Sequence, residues 1–279
     1  MYREWTDQSK IFAYRETISR PASHRLVRDT EFLQFSEATL DDIAGINGAG
    51  SLPIAVIRQA IYERWVRLWK GSHFRAHSAK ALEAYCALSL ADFEGINARQ
   101  HWSNWRVIPR NLNGRLPNSP VDVLDLCCGI GQSAAVLAYY CAPGSRILGL
   151  EYNREFIEAA CGRKFLDDTG RPARVEFNAQ SVLERFNDPQ GNAVPDSSID
   201  LVNSCGAVGC HFEPGETALL AKEVCRVLKS SGLALIDSGS AGTNTPDLMK
   251  IFETLGFKVV HCAKSCALDR YTQVCFQKQ

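Results

Sequence analysis

The sequence predicts an α/β protein: a mostly parallel seven-stranded sheet closed by an antiparallel C-terminal hairpin and preceded by a helical N-terminal cap region. Three observations predict it. From residue 121 onward, short apolar runs alternate with helix-length segments, the rhythm of a parallel sheet with helices on both faces. The last two strand-like runs, "GFKVVHCA" and "YTQVCFQK", have no helix between them and should pair antiparallel. The residues before position 118 repeat their apolar side chains at helical spacing instead.

In chain order, residues 1–50 read as mixed helix and loop. Ile54, Ile57, Ile61, Trp65 and Leu68 then share one helical face, with Ser51 suited to cap the helix, Pro53 to its first turn and Gly71 to its end. A second helix is expected after Ser78, with Leu82, Tyr85 and Cys86 on its buried side. "SLAD" (Ser89–Asp92) resembles a capping box for a third, with Asp where Glu is usual. The turn-forming run "NLNGRLPNSP" (Asn111–Pro120) reads as a linker, dividing the chain into a cap of residues 1–117 and a core of residues 118–279.

The core opens with the strand "VDVLDL", the turn "CCGIG" and the helix "QSAAVLAYYCA". Gly129 and Gly131 let the backbone turn tightly and approach a ligand, and the following helix N-terminus offers free N–H groups to it. A lone G-x-G is weak evidence. It gains weight because the next strand ends in "LGLE", placing Glu151 where a strand-tip carboxylate can accept hydrogen bonds from both ribose hydroxyls. Further strands are expected at Ala173–Phe177, Ile199–Ser204 and Leu233–Asp237.

Asp125 decides the ligand type. An anion just before the loop would repel a pyrophosphate but attract a cation. S-adenosylmethionine supplies one, with a sulfonium, an ammonium group and no phosphate.

Composition narrows the partners. Lys+Arg and Asp+Glu are 31 each, so no basic field recruits nucleic acid or an anionic membrane surface. The start "MYREWTDQSK" has no apolar signal-peptide core, and no apolar run approaches a membrane span, so a cytoplasmic location is expected. None of the 11 cysteines forms a C-x-x-C pair, and no metal site is expected; most should be small buried hydrophobes.

"VLDLCCGIG", followed by "GLE", resembles the class I S-adenosylmethionine-dependent methyltransferases, a Rossmann-like family. The resemblance extends through "SIDLVNSCGAVGCHF", "LLAKEVCRVLKSSGLALIDS" with its Glu223, Arg226 and Gly232, and "LGFKVV". It implies that Cys127, Gly129 and Gly131 pass under the methionine portion of the cofactor. Asp125 would bind the ammonium directly or through water, Glu151 the ribose, and Tyr152 would lie against the adenine. Where the family often has an acidic residue for the adenine amino group, this chain has Gln180 and Ser181, so Gln180, Ser181 or the Val182 amide would supply the contact. Ser204 joins the cofactor residues. Cys127 stands where glycine is common, and the Cys127–Cys128 pair then belongs to a nucleotide loop, not to metal or redox chemistry.

Methyl transfer from a sulfonium is an in-line displacement that needs alignment and exclusion of water above all. A base is required only if the acceptor must lose a proton. His211, in the segment Asn203–Phe212 that faces the methyl in this family, is the one conventional base there; a hydrogen-bonded structural histidine is the competing reading. "NSCG" lacks both the Asn/Asp-Pro-Pro-aromatic tetrad and the Pro-Cys nucleophile of DNA methyltransferases. A small-molecule acceptor is therefore expected, with the product S-adenosylhomocysteine. The alternatives are a protein or nucleic-acid methyltransferase and a cofactor-binding protein without transferase activity. "HWSNWRVIPR" brings Trp102, Trp105 and Arg106 just before the linker, either as walls and anion holder of an acceptor pocket or as packing onto the core. The apolar cap helices are expected to cover the cofactor edge or a second subunit, the latter giving a homodimer.

Overall fold

A computed structural model describes residues 79–263 and 271–279, together with residues 60, 61, 63–65 and 68. The elements are α1 (Ala79–Cys86), α2 (Leu90–Leu112), β1 (Asp122–Leu126), α3 (Gln132–Tyr140), β2 (Arg146–Glu151), α4 (Arg154–Cys161) and β3 (Arg174–Ala179). They continue with β4 (Ile199–Ser204), α5 (Val208–His211), α6 (Pro214–Val227), β5 (Leu228–Ser238), α7 (Thr245–Thr254), β6 (Phe257–Ala263) and β7 (Thr272–Lys278).

The seven strands form one sheet in the order β3-β2-β1-β4-β5-β7-β6. The first five strands of that order run parallel, and β7 pairs antiparallel with both β5 and β6. The expected hairpin is therefore present, and β7 inserts between β5 and β6. β1 and β4 sit side by side while the chain leaves them in opposite directions along the sheet. The crevice beyond their C-terminal ends is a topological switch point, where ligands bind in such sheets.

Alternate residues of each strand face two separate cores. Val123, Leu201, Leu235 and Cys275 pack with Leu137 of α3, Ile157 of α4 and Trp105, Ile108 and Leu112 of α2. Leu124, Val202, Ala234 and Ile236 pack on the opposite face with Leu220 and Val224 of α6 and Leu248 and Phe252 of α7. The pattern Glu223/Arg226 is a brace: the Arg226 guanidinium grips Glu223, whose carboxylate also accepts the Phe186 amide at 2.9 Å.

The cap meets the core through α2. Ser89 caps it, accepting from the Asp92 amide at 3.1 Å, as "SLAD" predicts. The helix then runs without a break through 23 residues, including Pro109, so the expected linker is trimmed at its start: Asn111 and Leu112 are helical. Of the earlier amphipathic stretch, positions 54 and 57 lie outside the described residues. Ile61, Trp65 and Leu68 are helical and exposed, not buried as their spacing suggests.

Candidate functional site

The switch point is built by the β1–α3 turn. The Cys128 amide donates to the Leu150 carbonyl of β2 at 3.1 Å, and the Gly131 amide to the Cys128 carbonyl at 2.9 Å, folding the turn back over the sheet edge. Cys127, Gly129 and Gly131 all take left-handed backbone angles, with φ of 53°, 55° and 84°. Glycine adopts these freely and cysteine does not, so Cys127 occupies a glycine-type position at some cost.

Glu151, at the tip of β2, is buried against this turn. One carboxylate oxygen accepts from the Gly129 amide at 3.1 Å and the other from the Asn153 amide at 2.9 Å. The Tyr152 amide and the Tyr85 hydroxyl also donate to it. Burial raises its pKa, and these donors pull it back. The neighbouring Tyr152 is exposed at the rim, so its ring is free of the core.

Tyr85 and Phe93 are the contributions that sequence reasoning missed. A Cβ on Gly129 would come within 2.8 Å of the Phe93 ring, so the cap presses directly on the glycine turn. Tyr85 and Phe93 pack edge-on and tilted against Phe156 of α4, with centroids at 5.4 and 4.3 Å, and Ile130 closes the cluster. Gln100, two turns further along α2 than Phe93, donates to the Cys205 carbonyl at 2.6 Å. The helical pattern places Tyr85 on a buried side without saying what it covers, and Phe93 was not singled out.

Asp125 is fully buried and faces inward, so of the two expected routes to the ammonium the one through water or a neighbouring side chain is the one its position suits. Its oxygens accept from Ser133 Oγ at 2.6 Å and Asn203 Nδ2 at 2.7 Å. Burial lifts its pKa to about 7, with both hydrogen bonds pulling the other way. Ser204 is likewise committed: its hydroxyl donates to Asp237 at 2.8 Å and has no exposure. Asp237 then accepts the amides of Val208 at 3.3 Å and Gly209 at 2.9 Å, which anchors the short helix α5. A Cβ on Gly209 would meet backbone atoms of Ser238 and Gly239 at 2.2 Å, so the anchor is rigid. His211 ends α5 with its ring 6.1 Å from that of Tyr85, at the same edge as Glu151.

The third-strand expectations divide. Gln180 is corrected: its Oε1 accepts from Asn178 Nδ2 at 3.0 Å and the Asn187 amide at 2.8 Å, and its Nε2 donates to the Ser181 and Arg185 carbonyls. Both ends brace the loop, leaving nothing for an adenine. Ser181 Oγ accepts the Leu183 amide at 3.2 Å, and the Val182 side chain is core.

Trp105 is also corrected as an acceptor-pocket wall. It is 3% exposed and packs against Tyr139 and Tyr140, at the far end of α3 from the glycine turn. The side chains of Trp102 and Arg106 lie outside the described residues. Cys127 is half-buried and Cys128 buried, and desolvation, with nearby acidic groups adding to it, pushes both thiols well above the ordinary value. Among the described residues, no group of three His, Cys, Asp or Glu side chains could hold a metal.

Residues 123–232 match the family model described as a methyltransferase domain. This part of the chain is similar to the class I S-adenosylmethionine-dependent methyltransferases. The match starts inside β1 and stops within β5, leaving the C-terminal hairpin outside it. Two curated relatives are the demethylmenaquinone methyltransferases of Lactobacillus johnsonii, 29% identical over 43% of this chain and 45% of its own length, and of Lactococcus lactis, 26% identical over 57% and 58%. This chain thus spans about half the length of the relatives it matches. Among solved structures, one chain of the complex between the Haloferax volcanii Trm112 methyltransferase activator and a methyltransferase is 18% identical, with a TM-score of 0.52 over 70% of this chain and 96% of that one. That likeness speaks for the fold. The matched stretch runs from β1 into β5 and takes in Asp125 on β1, the glycine turn and Glu151 at the tip of β2.

Proposed function

We propose that the chain transfers a methyl group from S-adenosylmethionine to a small-molecule acceptor. The observation that carries this reading is the pairing of Glu151 with the Gly129 turn at the switch point. It sets a buried carboxylate, suited to two vicinal hydroxyls, against a left-handed glycine backbone whose Cβ position would lie 2.8 Å from the Phe93 ring.

The donor set fits the cofactor. Glu151 takes the ribose, Gly129 and Gly131 the close backbone approach, and Asp125, reached through Ser133 or water, provides the negative field for the methionine ammonium. When bound, the cofactor supplies an electrophilic methyl on a sulfonium. The protein's share is to orient it, exclude water and hold the acceptor in line. Tyr152 offers its ring to the adenine from the rim, and Ser181 or the Val182 amide offers the polar contact that Gln180 does not. Tyr85, Phe93 and Gln100 form the lid side of the site, which favours an enclosed acceptor over a long polymer lying in an open groove. His211 stands where it can take a proton from an acceptor hydroxyl or amine. The names of the two demethylmenaquinone methyltransferases support a small organic acceptor.

Titration with S-adenosylmethionine and S-adenosylhomocysteine is the first test, and absence of binding to both would refute the reading. Incubation of the full chain with methyl-labelled cofactor and a metabolite extract should then label a low-mass product; label confined to protein or nucleic acid would overturn the acceptor class.

A further inference from the structure

A row of buried polar side chains crosses the apolar layer between α2 and the sheet. His261 Nδ1 on β6 lies 2.7 Å from Asn111 Oδ1 on α2. Asn111 Nδ2 donates to Gln273 Oε1 on β7 at 2.9 Å, and Gln273 Nε2 donates to Asn203 Oδ1 on β4 at 3.0 Å. Asn203 Nδ2 completes the row by donating to Asp125 on β1 at 2.7 Å. Asn111, Gln273, Asn203 and Asp125 have no exposure at all. Because Asn111 uses its amide N–H toward Gln273, its oxygen is the acceptor, and His261 must donate through Nδ1. Every bond therefore points the same way, donor toward Asp125.

The row is costly for packing alone. Its strand neighbours on that face are Val123, Leu201, Leu235 and Cys275, and apolar side chains would fill the layer without any polar desolvation. Aligned donors polarise one another and strengthen the last bond onto a carboxylate. From this geometry we propose that Asn203, Gln273 and Asn111 are positioning residues that hold the Asp125 carboxylate charged and oriented for the methionine end of the cofactor, thereby tying α2 to cofactor binding. This rests on the cofactor reading above.

Asp125 sits close to the point of losing its charge, with a pKa of about 7, so a weakened row should neutralise it near physiological pH. The titratable groups around it are Cys127 and Cys128 in the turn and Cys205 after β4, all held protonated by burial. Glu151 and Asp237 on the β2 and β5 tips share Cys127 as a neighbour with Asp125. At the far end, Arg110 and Arg115 with burial hold His261 below its ordinary value.

The test compares two ligands on the full chain between pH 5.5 and 8.5: S-adenosylhomocysteine, which carries the ammonium, and 5′-methylthioadenosine, which lacks it. In the wild type, affinity for the first should rise through a midpoint near 7 while affinity for the second stays flat. In Gln273→Met the midpoint should move up by about one unit, weakening S-adenosylhomocysteine several-fold to tenfold at pH 7. Binding of 5′-methylthioadenosine should stay within twofold. Equal weakening of both ligands, or an unmoved midpoint, overturns the relay. If Gln273→Met does not fold, Asn111→Ala, one link further out, should give a smaller shift of the same sign, and no shift overturns the proposal. A wild type that binds neither ligand refutes the cofactor reading itself, a result distinct from intact binding with an unmoved midpoint.

Discussion

Replacing Tyr85 with Phe removes one hydroxyl and keeps the ring against Phe93 and Phe156. An ionised carboxylate offers about four lone-pair sites. In Glu151 they face the amides of Gly129, Tyr152 and Asn153 and the Tyr85 hydroxyl. A ribose diol needs two of them, so it must displace a present donor. The three amides belong to the backbone of the site itself, whereas Tyr85 comes from the cap and can leave. Its bond to a charged group is worth about 1.5–3 kcal/mol, and cofactor binding in the wild type forfeits it. Tyr85 is only half-buried, so the lower end applies, and Tyr85→Phe should tighten S-adenosylhomocysteine about tenfold in calorimetry. Faster association should accompany it if leaving of Tyr85 limits entry. Unchanged or weaker binding would show that the hydroxyl keeps its place in the complex and that the cap does not compete for Glu151.

Asp125→Asn should stabilise the protein in a pH-dependent way. Asp125 holds its proton up to about pH 7 when folded but releases it near 4 when unfolded, so native stability falls as pH rises between those values and is flat above. Asn keeps both partners, accepting from Asn203 and donating to Ser133 Oγ, and has no proton to lose. The melting temperature of the variant should therefore match the wild type below about pH 4 and exceed it at pH 8, with a ceiling on the order of 4 kcal/mol; a gap independent of pH would contradict the shifted carboxyl. Cys127→Gly relieves a left-handed cysteine, worth about 1 kcal/mol, against a similar entropic cost in the unfolded chain. Thermal stability and cofactor affinity should thus change little, and lost binding would mean that the thiol itself makes a contact. Trp105→Ala should cost about 3–5 kcal/mol by denaturant unfolding through the cavity left beside Tyr139 and Tyr140, without a selective rise in the acceptor KM, because the ring is remote from the glycine turn.

The parts of the molecule set by local chemistry were legible in the sequence. Each predicted strand is present, and the central ones, β1, β4 and the core of β5, are buried on both faces and so need an apolar run that little else explains. The glycine turn and Glu151 were legible because left-handed backbone and a strand-tip carboxylate restrict residue choice. β5 begins at Leu228, earlier than its apolar core at Leu233 suggests, since its first residues are polar and pair at a sheet irregularity. Residues acting through distant partners were not legible. Gln180 looks like a ligand contact in the sequence and is a loop brace, because Asn178, Asn187 and Arg185 claim both its ends.

The same limit explains the cap. The sequence puts Tyr85 on a buried helical side and leaves Trp105 as pocket wall or core packing, and contact with the core has two meanings along these two helices. Trp105 is buried by the permanent core of α3, where its departure would open a cavity. Tyr85 is half-buried against Phe93 and Phe156 with its hydroxyl at Glu151, where, on the cofactor reading, its departure exchanges one hydroxyl for another. The C-terminal half of α2 therefore belongs to the sheet and the preceding turns to the site, with Phe93 and Gln100 at the boundary where the helix crosses the glycine turn. A division at residue 117 in the sequence runs after this helix. On the cofactor reading, the division that matters to function runs through it, between residues that hold the sheet together and residues that would yield to the cofactor.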